Sequence, residues 1–599
     1  MSRESNEKVY IDNLMNKGIN TFDPPRNLPD GQCADVSNMR MKPTGGVTTA
    51  KAPGEVVEVS STYITPRGGK YYKTYVSGTL KEYIVVALDS GTATKVFAVT
   101  YSGSTVYELT GSTFTTGKRV YFDINDNKIY WHLEGEDNVY YWDGDSTDLA
   151  YSTLVAAGGT IPTGAKGLVG WMGRIWLFNT AANPTEIVGS AYRDADYWND
   201  VSGNSLGDRA YKAVIDGAYD DEIEAVVPNV WNTTAIIRTN SIWVFVGTDE
   251  TDWTLKPVNT KYGTIAPASC VRGNDSVWFL SPYGVKQLSG SSEVSDANRY
   301  DTILTTSVTW GIRDKFDEYT DAEKQAAFAC MWEDTYRLNI GGDVWAYDLV
   351  ANNGEGALTY LGNEGSLGAY IESPKRLYGV GASDGTLYIC ETEYDSLARY
   401  STKEIDFSAP DFTKNINEIR IYGKLYGAYP IYCDYYLNGE EEKAGTFPIY
   451  LETGTAASYY IFDSGDSTSV AAGELADTTK TWTANDFVGG VLCDSAGTFF
   501  DILANSTTTI TVSGTPASGA YILAPNRNCF YTAPGDEEED WASFYTTSTT
   551  LYDSGVNAKL RCESIRLVFR NANNDEPFDI YKFQIRYELT KHKSLGART

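Results

Sequence analysis

The chain has 599 residues, 42% of them hydrophobic and 13% aromatic, with 44 Tyr, 14 Trp and a formal net charge of −30. This length allows about four domains, fewer if they are large β architectures. A surface of this sign repels a phosphate backbone, and with no long basic run the composition excludes stable duplex binding through clustered Lys and Arg. It is compatible with DNA passing by without sticking.

The first 55 residues carry little periodicity. Two Pro-rich turns, around Pro24-Pro25 and Pro29-Asp30-Gly31, flank Arg26, and a Gly-Pro cluster follows at 42–54. Such a segment buries little by itself. It reads as an extended arm over 1–55, laid across the following domain or docking a partner.

From about 56 to 400, short apolar runs recur between turns: 83–88 (YIVVAL), 95–99 (KVFAV), 128–133 (KIYWHL), 139–142 (VYYW), 174–178 (RIWLF), 241–246 (SIWVFV), 276–280 (SVWFL), 343–347 (DVWAY) and 386–389 (TLYI). The run at 276–280 is apolar on both strand faces and leads into Ser281-Pro282-Tyr283-Gly284, where Pro presets φ and Gly accepts a backbone angle that other residues resist. Marker positions Ile129, Ile175, Ile242, Val277, Val344 and Leu387 are separated by 46, 67, 35, 67 and 43 residues. That is no strict repeat, but it fits propeller blades carrying loop insertions, about six to eight of them. The stretch 321–333 (DAEKQAAFACMWE) fits a short helix or a strand.

After Tyr400 the pattern becomes long alternating strands. Those in 401–460 and 528–599, with Ile565, Leu567 and Phe569 and then Ile580, Phe583 and Ile585, are expected to pair into one sandwich or platform. A Thr- and Gly-rich segment at 461–527 reads as an inserted small β domain. The acidic run at 536–540 reads as a solvated loop.

Chemistry is sparse. The eight cysteines stand singly at 33, 270, 330, 390, 433, 493, 529 and 562, without the short spacings of zinc or redox motifs, and are expected to be reduced, mostly buried thiols. Of the two histidines, His132 lies in an apolar strand and His592 in a Lys-His-Lys tail expected to fray. No phosphate-binding glycine loop is present. Asp123, Asn125 and Asn127, and separately Asp143 and Asp145, imitate the start of a calcium loop without completing it, and a turn is the expectation for both. The run Ser383-Asp384-Gly385-Thr386-Leu387-Tyr388 departs from the Asp-box turn of sialidase-like propellers and reads as an ordinary Asp-Gly turn. No catalytic, cofactor-binding or metal-binding residue is therefore assigned, and no cofactor. The N-terminus lacks the apolar core of a signal peptide, and no segment approaches the roughly 20 apolar residues of a membrane span, so folding in a cytoplasm is expected.

Several short motifs share an order: Gly18, Ile19, Asn20; Leu28, Pro29, Asp30, Gly31, Ala34; Asn38, Met39, Arg40; Gly45, Gly46; Gly173, Arg174, Ile175, Trp176; Tyr197, Trp198; Asp221, Glu222, Ile223; Ser241, Ile242, Trp243; Gly263, Thr264; Trp278 through Val285; and Val344 through Asp348. In this order and spacing, over roughly residues 15–390, the chain resembles the β-propeller tail hub, or nozzle, proteins of short-tailed bacteriophages. The resemblance implies a structural, non-enzymatic virion protein assembled in the host cytoplasm. It would form a hexameric ring in the tail tube below the portal, meet a tail adaptor protein above and hold fibres or tailspikes at its side, while genomic DNA passes through the lumen. The alternative is a virion-displayed propeller that binds or cleaves glycans.

Overall fold

A strand that is apolar at consecutive positions has to be covered on both faces, and the runs found in the sequence are strands of that kind. Arg174–Phe178 and Ser276–Ser281 are buried at every position. A computed structural model describes residues 7–12, 17–43, 45–199, 209–215, 221–230, 233–247, 252–259, 261–273, 276–289, 306–307, 310–426, 431–449, 463–496, 498–524, 540–545 and 560–592. The protein is mainly β and divides into two compact units, one of Lys51–Leu349 with Tyr360–Glu393 and the other of Met1–Ala50, Val350–Thr359 and Tyr394–Thr599.

The first unit is built from seven sheets whose described pairings are all antiparallel, six of them with four strands and the sixth in order with its first three. Their leading strands are Thr65–Val76, Val120–Asn125, Gly167–Trp171, Ile223–Val230, Val271–Arg272, Phe328–Trp332 and Leu367–Glu372. Each leading strand lies beside that of the next sheet, and the seventh lies beside the first, so the series closes on itself in a propeller-like ring. The seventh sheet takes its last strand, Ala52–Glu58, from ahead of the first sheet in the chain. Because that strand already belongs here, the unit begins at Lys51, where the sequence suggested a boundary at 55/56.

Neighbouring sheets enclose separate cores between them. Tyr83, Trp131 and Trp142 pack between the first and second sheets, and Trp171, Trp176, Phe245 and Trp253 between the third and fourth. The leading strands approach closely near the axis. A Cβ on Gly68, at φ +154°, would stand 2.1 Å from the Val120 carbonyl oxygen of the second sheet.

The uneven marker spacing has a structural cause. Ile129, Ile175 and Val277 lie on the second strands of their sheets, whereas Ile242, Val344 and Leu387 lie on third strands. Alternating between the two positions lengthens one gap and shortens the next. The stretch read as helix or strand is both: Asp321–Ala326 is a helix closed by a Thr320–Glu323 capping box, and Phe328–Trp332 is a strand.

In the second unit, Phe412–Leu425 pairs along most of its length with Phe578–His592, and Ile431–Leu437 pairs with Ile565–Arg570. The first pair belongs to a seven-stranded sheet and the second to a five-stranded one, and Phe569 meets Phe583 between them at 6.0 Å. The N-terminal segment, expected as an extended arm, is woven into both sheets. Glu7–Asp12 and Val47–Thr49 pair with Phe578–His592, and Cys33–Ser37 pairs with Arg399–Thr402. Its turns give it no hydrophobic period, yet their short strands fill sheet edges. The tail expected to fray instead continues the strand to His592. Residues 463–524 form a separate seven-stranded sheet around Leu475, Trp482, Leu492 and Tyr521. Most of the acidic run at 536–540 lies outside the described residues.

Candidate functional site

Propeller-like rings bring their leading strands to one axis, so charged residues on those strands are the first candidates for function. Three meet there. Lys70, on the first leading strand, places Nζ 3.1 Å from Asp123 Oδ1 on the second. The Gly170 N–H of the third strand donates to Asp123 Oδ2 at 2.7 Å, and the Ile124 N–H donates to Oδ1 at 2.9 Å. Glu372, ending the seventh leading strand, accepts from the Met331 N–H of the sixth at 2.9 Å. Lys70 and Asp123 thus tie the first three sheets together and Glu372 ties the sixth to the seventh, with Lys70 and Glu372 acting on each other electrostatically.

The electrostatics follow from position. The Lys70 side chain is 43% accessible, although protein surrounds it, as expected of a group that water reaches along an axis. The neighbouring Asp123 carboxylate, and more weakly Glu372, raise its pKa against the opposing effect of desolvation. Burial raises the Glu372 pKa, while the Met331 N–H and Lys70 lower it only in part. The cluster can hold a proton and lock sheets together. Among the described residues no group of three or more His, Cys, Asp and Glu side chains could hold a metal ion.

A second charge cluster lies between the sixth and seventh sheets. Arg337, fully buried, donates through Nη1 to Glu364 and through Nη2 to Glu391, and the Tyr370 hydroxyl donates to the other Glu364 oxygen at 2.8 Å. Burial opposes the charge on Arg337, and the two carboxylates more than offset it.

Residues singled out in the sequence have local roles. His132 is buried with Nδ1 3.0 Å from Asn138 O and Nε2 2.8 Å from Ala165 O, and burial lowers its pKa. Asp123 serves the axial cluster, and Asp126 and Asn127 form the left-handed turn beyond it. Asp143 accepts from the Asp145 N–H, and Asp145 accepts from the Thr147 N–H and hydroxyl, so these are turns. Asp384 accepts from the Thr386 N–H and the Tyr388 hydroxyl in a hairpin turn. Cys33, Cys330, Cys390 and Cys433 are buried, and desolvation raises their pKa values, which makes them poor nucleophiles. Sequence reasoning missed Lys70 and Glu372 and took Asp123 only as part of a turn. The available signal was a charged residue within a strand of the ring.

No known protein family matches the sequence, and no curated protein matches it. Solved structures similar to it include YCF48 bound to D1 peptide, at 10% identity and a TM-score of 0.35, covering 57% of this chain and 96% of that one. PorZ, a bacterial surface component of the type-IX secretion system of Porphyromonas gingivalis, is 7% identical with a TM-score of 0.30, covering 60% of this chain and 44% of PorZ. A protein of Bacteroides fragilis described as exported is 10% identical with a TM-score of 0.27, covering 58% and 83%.

Proposed function

We propose that the chain is a structural virion protein, a tail nozzle or hub that forms a hexameric ring around the DNA ejection conduit of a short-tailed bacteriophage. One observation carries the reading: four of the motifs behind the resemblance lie on strands and turns of four consecutive sheets. Gly173 to Trp176 lie on the third sheet, Ser241 to Trp243 lead into and lie on the fourth, Trp278 to Val285 on the fifth and Val344 to Asp348 on the sixth. Several of the glycines, including Gly18, Gly31, Gly45, Gly46, Gly173 and Gly284, hold positive φ. The shared pattern is thus one of scaffold geometry, which suits a protein whose work is done by an assembled ring.

The net charge of −30 supports a lumen that lets the duplex slide without adhering. In this reading the ring meets an adaptor ring on one side, holds fibres or tailspikes, performs no catalysis and needs no cofactor. Incubating the purified protein with host surface polysaccharide and imaging it by negative-stain electron microscopy tests the proposal. Rings of six chains with the polysaccharide intact support it. Released oligosaccharides from a dispersed monomer would replace it with the glycan-cleaving alternative.

A further inference from the structure

We propose that the outer edge of the first sheet carries a binding subsite for one neutral hexopyranose ring. A cavity of about 150 Å³ opens there, between the strands Thr94–Thr100 and Val106–Glu108 and the loop at 110–114, with Tyr151 as a wall. That is smaller than a drug-sized pocket of about 300 Å³ or more, and it suits a single ring entering from an open mouth.

The lining has the two characters a sugar requires. A pyranose has an apolar face of C–H groups and a rim of hydroxyls that both donate and accept. Lys95 and Glu108 form an ion pair at the cavity, with Lys95 Nζ also 5.1 Å from the Tyr63 ring centroid. One Glu108 oxygen holds Lys95, and the other has no partner among the described residues. A free carboxylate oxygen beside an ammonium with unused protons can engage adjacent hydroxyls of one sugar from both sides. Because the pair is neutral overall, a neutral sugar fits it better than an anionic one, which Glu108 would repel. Thr110 and Thr113 also line the cavity.

The aromatic wall is set in advance. The Tyr151 hydroxyl donates to the Ser112 carbonyl, which spends it on the loop. A Cβ on Gly111 would stand 2.2 Å from Tyr151 Cζ, so the loop backbone lies against the ring. Trp131, Phe114 and Tyr140 pack around it at centroid distances of 5.1, 5.5 and 5.6 Å. A wall held this firmly loses little entropy when a ligand comes against it. The inference stands on this geometry and not on the tail reading, so the absence of a ring would leave it untouched.

Saturation-transfer NMR on the full chain, titrated separately with glucose, galactose, mannose and N-acetylneuraminic acid, tests it. Saturable transfer from at least one of the three hexoses is expected, with none from the acidic sugar. Glu108→Gln, at a half-exposed position, should keep the thermal midpoint and weaken that hexose at least tenfold. Gly111→Ala should displace the Tyr151 wall and weaken it as well. Failure of all three hexoses to saturate, binding of the acidic sugar alone, or unchanged hexose affinity in Glu108→Gln overturns the proposal.

Discussion

The propeller-like unit contains two clusters of the same composition, two carboxylates around one cation, and they differ in their access to water. Arg337 and Glu364 are sealed between sheets, at 0% and 1% side-chain exposure, with Glu391 at 19%. Lys70 with Asp123 and Glu372 lines an axis, and Lys70 remains 43% accessible. In the sealed cluster the planar guanidinium reaches both acids and Tyr370 satisfies a remaining lone pair, so every charge depends on the others. In the axial cluster water shares the work. Exposure therefore sets how much each charge contributes, and it also sets which cluster responds to pH.

The largest effect should come from breaking the sealed cluster. Arg337→Met strands two carboxylates and is expected to destabilise the fold by about 3–5 kcal/mol, read as a lower urea midpoint. Equal losses from Arg337→Met and Lys70→Met would break the distinction between the clusters. Tyr370→Phe removes one hydrogen bond to a charged acceptor, and about 1.5–3 kcal/mol is expected in the same assay. Lys70→Met should cost less than about 1 kcal/mol, because solvent screens a half-exposed pair.

The smallest effect is a pH dependence. With its folded pKa raised above the ordinary 4.5, Glu372 binds more protons in the folded state than in the unfolded one. Its contribution to stability is present below the unfolded pKa and is lost as pH rises through the folded value. Glu372→Gln should remove that decline, giving a midpoint at neutral pH slightly above the parent protein's while the two converge in acid. A parent that loses ground to Glu372→Gln as the pH falls would contradict this sign.

Much of the ring was legible because its strands are buried on both faces. Runs such as 174–178 and 276–280 carry that signal in residue type alone. The period was not legible, since the most conspicuous runs alternate between second and third strands, as Ile175 and Ile242 do. The N-terminal strands escaped because Cys33–Ser37 and Val47–Thr49 are too short for alternation to show, and their partners lie hundreds of residues away. The axial cluster was hidden for a similar reason. Lys70, Asp123 and Glu372 are ordinary charged residues until ring closure brings them together, and no local spacing encodes that meeting. For His132, inside the run Lys128–Leu133, the sequence left a packed or a surface position open, and the structure buries it.

Electron cryomicroscopy of the intact particle that carries this chain tests the central claim most directly. The account predicts six copies in a ring below an adaptor, enclosing a lumen of negative potential wide enough for duplex DNA. Single copies at the particle periphery, or a ring whose lumen is strongly basic, would contradict it.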